Sequence, residues 1–165
     1  VDYRHLSTVT TALRQAGCRV ESEKDAVRLT APARLRAIPP VRTSPYPGFP
    51  TDAQAVLMAA LLRSRGTTVF VENMFENRYR HVPELVRLGA DIRTEGRVAV
   101  VCGAERLHGA RVRAADLRGG AALVLAGLQA EGTTEVEQIH HIERGYADLV
   151  GDLRALGAEI RLREA

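Results

Sequence analysis

Apolar and polar positions alternate along this chain in two distinct ways. Ala53–Leu62 and Ala121–Ala130 are apolar almost all the way round, a pattern that predicts helices buried on every side. Leu149–Leu156 carries Asp152 and Arg154 between its apolar residues and predicts a helix facing solvent. Shorter runs predict strands near Val41–Thr43, Thr68–Glu72, Asp91–Thr94 and Val98–Cys102, with further helices over Tyr3–Ala16, Asp52–Arg63 and Val82–Leu88. Helices more apolar than their surroundings, set among half-polar strands, predict an α/β (α+β) fold with buried helices surrounded by sheet.

These elements recur. A helix end, a glycine and then a strand appear at Leu13–Val20, Leu85–Ile92 and Leu153–Ile160, about every 70 residues. Gly17, Gly89 and Gly157 are each placed to end a helix in the left-handed conformation. Upstream of the last two copies lies an apolar helix, then Gly66–Thr68 or Gly132–Thr134, then a strand ending in Glu72 or Glu137. The unit is therefore about βαβαββ. On this reading residues 1–40 form a partial first unit, 41–110 a second and 111–165 a third. The first begins at its second helix, and a whole unit is expected to need about forty to fifty further residues in front.

Composition narrows the class. The chain has 165 residues, 45% hydrophobic and only 4% aromatic, enough for an aliphatic core. Its longest apolar run, near Ala121–Leu128, is too short to cross a bilayer, and no basic-then-apolar leader precedes it, so a cytoplasmic location without membrane contact is expected. The formal charge of +3 comes from arginines scattered among Glu and Asp. No basic block points to nucleic acid, and the excess suits small anionic ligands equally well. Cys18 and Cys102 have no ligand spacing, so neither a disulfide framework nor a zinc site is indicated, and no cofactor is expected.

The segment Ser44–Gln54 is the most unusual in the chain, with three prolines fixing a loop that runs straight into a helix. Thr51 and Gln54 form a plausible capping box, with Asp52 at the first helical position, where a carboxylate complements the helix dipole whether or not it does chemistry. Arg118 and Arg144 are each read at a helix start, where a cation opposes the dipole. Such a placement favours anion binding through guanidinium forks and free N–H groups; the alternative is a structural ion pair, Arg144 with Glu143 or a neighbouring strand. His140 and His141, read as strand neighbours, point to opposite faces and suit structural or solvated roles better than metal binding. No phosphate loop, dinucleotide fingerprint or nucleophile elbow occurs.

Five linked segments, TSPYPGFPTDAQA from Thr43, ENMFENRYRHVPEL from Glu72, DLRGGAALVLAGL from Asp116, AEGTT from Ala130 and HIERGY from His141, resemble the C-terminal region of UDP-N-acetylglucosamine enolpyruvyl transferases. Before Thr43 the resemblance rests only on the helix-glycine-strand pattern. It implies an enolpyruvyl-transferase-like lobe, an inside-out α/β barrel, one of two that close on the substrates. The implied reaction moves the enolpyruvyl group of phosphoenolpyruvate to the 3-hydroxyl of UDP-N-acetylglucosamine and releases phosphate, the first committed step of peptidoglycan synthesis. By motif, Asp52 corresponds to the residue proposed as base for the sugar 3-hydroxyl. Met74 and Phe75 fall where the family lines the sugar nucleotide, Met replacing a smaller aliphatic residue. Arg118 and Arg144 match arginines holding the carboxylate or phosphate of phosphoenolpyruvate, which puts Asp52 and Arg144 in catalytic roles.

The family's mobile-loop cysteine, its catalytic lysine and further contacts belong to the other, N-terminal lobe and have no counterpart here. The chain alone is accordingly expected to be inactive, with that lobe as its partner. Two alternatives stay open: a lobe of the 3-phosphoshikimate enolpyruvyl transferase, which shares fold and donor, and a non-catalytic binding module.

Overall fold

A computed structural model describes residues 2–163 of the protein. A 3-10 turn, Tyr3–Leu6, leads into α1 (Ser7–Gln15), so the first expected helix is two pieces rather than one. An antiparallel pair follows, β1 (Arg19–Ser22) and β2 (Val27–Thr30). Next come β3 (Val41–Arg42), α2 (Thr51–Ala60), β4 (Thr67–Val71), α3 (Val82–Arg87), β5 (Asp91–Glu95) and β6 (Val98–Cys102). Their strands form a sheet in the order β3-β4-β6-β5, with β3 and β4 parallel and the other pairs antiparallel. The remaining elements are β7 (Arg111–Arg113), α4 (Leu117–Gly127), β8 (Glu135–Glu137), α5 (His140–Glu143) and α6 (Leu149–Ala155), with β7 and β8 parallel.

The three helix ends are built alike. At α1, α3 and α6 the glycine has φ of 103°, 93° and 92°. Its N–H donates to a carbonyl three residues back, and the next residue's N–H reaches the carbonyl five back, as in Cys18 to Leu13, Ala90 to Leu85 and Ala158 to Leu153. Two otherwise orphaned helix carbonyls are satisfied at each end, and a Cβ at the glycine would be strained. After Gly17 and Gly89 the chain becomes β1 and β5. After Gly157 it does not: residues 158–163 run without a strand assignment, contrary to the expected last strand. Backbone conformation at the glycine is local, whereas a strand exists only when another strand accepts its hydrogen bonds.

The two apolar helices lie at the centre, as their patterning predicts. Ala55 and Ala59 of α2 pack on Ala122 of α4, so small side chains bring the helix backbones close. Met58, Leu61 and Leu62 continue from α2 into the main core with Phe70, Leu85, Leu88, Val101 and Leu123. In α6 no residue is buried, as expected of a surface helix. Among the described residues no helix is long and apolar enough to cross a membrane.

Candidate active site

The Pro-rich loop closes on itself before it enters α2. Ser44 N–H donates to the Phe49 carbonyl at 3.0 Å and Gly48 N–H to the Pro45 carbonyl at 2.8 Å, while the Phe49 side chain is buried. The Tyr46–Pro47 peptide is cis. The expected capping box does not form. Pro50 occupies the N-cap, α2 starts at Thr51, and Asp52 is its second residue. The Thr51 hydroxyl donates to Glu72 at 2.9 Å, and Gln54 is fully buried with neither amide atom partnered among the described residues. Because Pro50 holds the N-cap position, Thr51 is already helical and no longer the capping residue, and its hydroxyl proton goes to the buried Glu72 carboxylate.

Asp52 projects from this first turn between two arginines. Arg118 Nη2 donates to Asp52 Oδ2 at 3.0 Å, and Arg78 Nη2 donates to Asp52 Oδ1 at 3.2 Å. The hydrogen bond from Arg118, helped by the charges of Arg118 and Arg78, holds the Asp52 carboxyl below its usual range against the opposing effect of partial burial. Each guanidinium also covers an aromatic ring at 5.5 Å from the centroid: Arg118 over Tyr146 and Arg78 over Phe75. Arg118 Nη1 donates to the Tyr146 hydroxyl at 3.2 Å. Arg118 lies in the first turn of α4, whose N-cap is Asp116, accepting from Gly119 N–H at 2.8 Å. That carboxylate offsets the unfavourable placing of a cation at a helix start.

Arg144 differs from the expectation. It follows α5 as its C-cap, the end that suits a cation, rather than starting a helix. It is exposed and makes no ion pair with any described residue, so neither Glu143 nor a strand holds it. His140 and His141 are also not on a strand; both belong to α5, with ring centroids 4.1 Å apart. A residue at left-handed φ, Gln138 at 59°, turns the chain into that helix where the sequence pattern continued a strand.

Met74 and Phe75 are exposed on the loop after β4. The structure therefore brings Asp52 and Arg118 into direct contact and joins Phe75 to them through Arg78. Arg144 is tied only through Tyr146, two residues further on. Three contributors were missed by sequence reasoning: Arg78, Tyr146 and Glu72. Arg78 and Tyr146 lie within quoted motifs, but no periodicity marks them. Glu72 was visible as a strand end, yet its counterpart Glu137 pairs with Arg113 on the surface, so position in the repeat did not disclose its role. No group of three or more His, Cys, Asp or Glu able to hold a metal occurs among the described residues.

On this lobe of α/β units, a carboxylate held between two arginines, beside the exposed Phe75 ring and the half-buried Tyr146 ring, is an arrangement whose guanidinium groups can meet anions. The same lobe occurs in the crystal structure of the enolpyruvyl transferase NikO from Streptomyces tendae, 34% identical, with a TM-score of 0.87 over 97% of this chain and 37% of that one. The chain belongs to the EPSP synthase (3-phosphoshikimate 1-carboxyvinyltransferase) family, whose model matches residues 1–164. It is 52% identical over 161 residues to the UDP-N-acetylglucosamine 1-carboxyvinyltransferase of Myxococcus xanthus, covering 98% of this chain and 38% of that protein. It is 54% identical to the protein of that name from Desulfofundulus thermocisternus, covering 95% of this chain and 64% of that protein. An EPSP synthase from Acinetobacter baumannii, at 23% identity and a TM-score of 0.66 over 95% of this chain and 37% of that one, shares the fold. The chain thus spans from about a third to two thirds of the length of these relatives.

Proposed function

We propose that this chain supplies one side of the active site of a UDP-N-acetylglucosamine 1-carboxyvinyltransferase, acting in peptidoglycan synthesis in the cytoplasm. The observation that carries the reading is the Asp52 carboxylate, set on the first turn of α2 between Arg118 and Arg78 and beside the Met74–Phe75 loop. Residues 1–40, 41–110 and 111–165 are read as successive units of a single lobe, the other lobe being its partner. The relatives near 50% identity carry the sugar-nucleotide name, which favours this acceptor over 3-phosphoshikimate.

The chemistry asks for an acceptor for the sugar hydroxyl proton, a donor to the methylene carbon of phosphoenolpyruvate, and cations for its carboxylate and phosphate. As the sugar oxygen bonds to the central carbon, its proton passes to Asp52 while the methylene carbon takes up a proton; as the carbon–oxygen bond to phosphate then breaks, the resulting methyl group gives up a proton, the double bond is restored and inorganic phosphate leaves. Arg118 and Arg144 hold the donor's anionic groups, Arg144 being unpaired for that purpose. Arg118 is paired with Asp52 before substrate arrives, and a donor anion that takes over Arg118 relieves the pairing that makes Asp52 a weak base. Met74 and Phe75 line the sugar nucleotide. The proton donor to carbon comes from the other lobe.

Titrating the chain with UDP-N-acetylglucosamine, 3-phosphoshikimate and a random oligonucleotide at two salt concentrations tests the reading. Saturable binding of the sugar nucleotide is expected, with amide shifts at Met74 and Phe75. Preference for 3-phosphoshikimate, or salt-sensitive binding of the oligonucleotide alone, would replace it.

A further inference from the structure

Glu72 follows β4 and is almost entirely buried, yet among the described residues no cation forms an ion pair with its side chain. Four donors converge on its two oxygens. Oε1 accepts from the Thr43 hydroxyl at 2.8 Å, from Met74 N–H at 2.8 Å and from Phe75 N–H at 3.2 Å. Oε2 accepts from the Thr51 hydroxyl at 2.9 Å. These donors come from three separate places: the segment after β3, the loop carrying Met74 and Phe75, and the residue next to Asp52 at the start of α2. A buried carboxylate is costly unless its lone pairs are satisfied, and here the donors that satisfy it belong to the pieces that form the site.

We propose that Glu72 is a positioning residue, fixing the Met74–Phe75 loop and the start of α2, and hence Asp52, in one frame. Its effect on ligand binding rests on the sugar-nucleotide reading above; its hold on the loop does not. The loop has other ties, since Asn73 N–H donates to the Thr43 hydroxyl at 2.8 Å and Arg97 Nη1 donates to the Asn73 carbonyl at 3.1 Å. Those ties stop at Asn73. Among the contacts described, only Glu72 accepts from the Met74 and Phe75 amides and joins them to Thr51.

The two oxygens have different tasks, which makes the inference testable by degree. In Glu72→Gln a carbonyl oxygen can keep the three Oε1 bonds, while the new NH₂ donates to the Thr51 hydroxyl, which can accept as well as donate. In Glu72→Ala all four donors lose their partner. Thr68→Val serves as the stability control, because Thr68 Oγ1 accepts a buried bond from Ile38 N–H at 3.1 Å and has no part in the site.

The experiment measures amide hydrogen exchange at Met74 and Phe75 and UDP-N-acetylglucosamine affinity, both on the full chain. Glu72→Ala is expected to abolish protection at the two amides and weaken affinity about tenfold or more, the scale of leaving buried polar groups unpaired. Glu72→Gln is expected to keep both near wild type, and Thr68→Val to lower the melting temperature without changing either. If Glu72→Ala does not fold, Glu72→Asp carries the test, since its shorter arm cannot reach the loop amides and Thr51 together. Unchanged exchange in the Ala or Asp variant, or equal loss of affinity in Thr68→Val, overturns the proposal. Absence of sugar-nucleotide binding by the wild-type chain sinks the functional reading instead, and the exchange rates still decide whether Glu72 holds the loop.

Discussion

Asp52 is held by Arg118 and Arg78, and its side chain is 61% exposed, so the pairing concerns the chemistry of the site more than the stability of the fold. In an enzyme completed by its other lobe, Asp52→Asn is expected to lower turnover by about 10²–10⁴ while the sugar nucleotide still binds, the usual cost of losing a general base. Single-turnover assays beside binding titrations check this; near-normal turnover would leave Asp52 as a partner for arginines only. His81 offers a separate test. It is almost wholly buried, neither ring nitrogen has a well-aligned hydrogen-bond partner among the described residues, and burial pushes its pKa down to about 4, against upward pulls from the Asp116 charge and the nearby Arg78 backbone. The charge of Arg78 acts with burial. The folded state therefore prefers the neutral ring. Its contribution to stability is complete above about pH 6.5 and is lost as the pH falls toward about 4, reaching about 2 kcal/mol by pH 5. Melting curves from pH 7 to 5 should show that slope, and His81→Phe should flatten it; an unchanged slope assigns the acid sensitivity to other groups.

Among the elements, α4 is closely packed against α5 at a glycine. Gly120 lies in its buried first turns, and a Cβ there would stand 2.6 Å from Ile142 Cγ1 and 3.0 Å from Ala114 Cβ. Replacing Gly by Ala in a helix ordinarily stabilises by about 1 kcal/mol. Overpacking a core costs typically 1–3 kcal/mol, about the same size or larger. Ile142 is itself buried on α5 and has little room to retreat, so overpacking should win and Gly120→Ala should destabilise by about 1–2 kcal/mol. Urea denaturation measures it directly. A stabilised variant would mean that α5 shifts freely relative to α4, and with it the Arg144–Tyr146 segment.

At the scale of the whole molecule, the proposed reading gives this chain Asp52, Arg118 and Arg144 and assigns the proton donor for the methylene carbon to the other lobe. Alone it is expected to release no phosphate from phosphoenolpyruvate in the presence of UDP-N-acetylglucosamine. Losing the alignment supplied by a second lobe removes a proximity contribution of roughly 7–11 kcal/mol. Nor should it be inactivated by fosfomycin, which in the resembled family alkylates a loop cysteine. Cys18 is buried, which raises its thiol pKa, and Cys102 lies half-buried on β6 within reach of the Thr67 hydroxyl. Phosphate release and intact mass after fosfomycin treatment are the measurements. Turnover, or an adduct that blocks it, would mean that these residues form a complete active site.

Much of this protein was legible in its sequence because the signals are local or periodic. All-round apolar stretches placed α2 and α4 inside, and glycines at residues 17, 89 and 157 marked the helix ends, since left-handed backbone conformation is a property of one residue. Contacts between distant segments were not legible in that way. Whether residues 158–163 became a strand depended on a pairing partner, and the Thr51 hydroxyl, on a helix that starts one residue earlier than expected, found Glu72, which lies 21 residues away. The end of α5 at which Arg144 fell depended on a turn at Gln138. Arg78 reached Asp52 across 26 residues, and the sequence pattern carried no trace of it. Hydrogen bonds and ion pairs are short-ranged in space but indifferent to separation along the chain, so only the tertiary structure decided which groups they join.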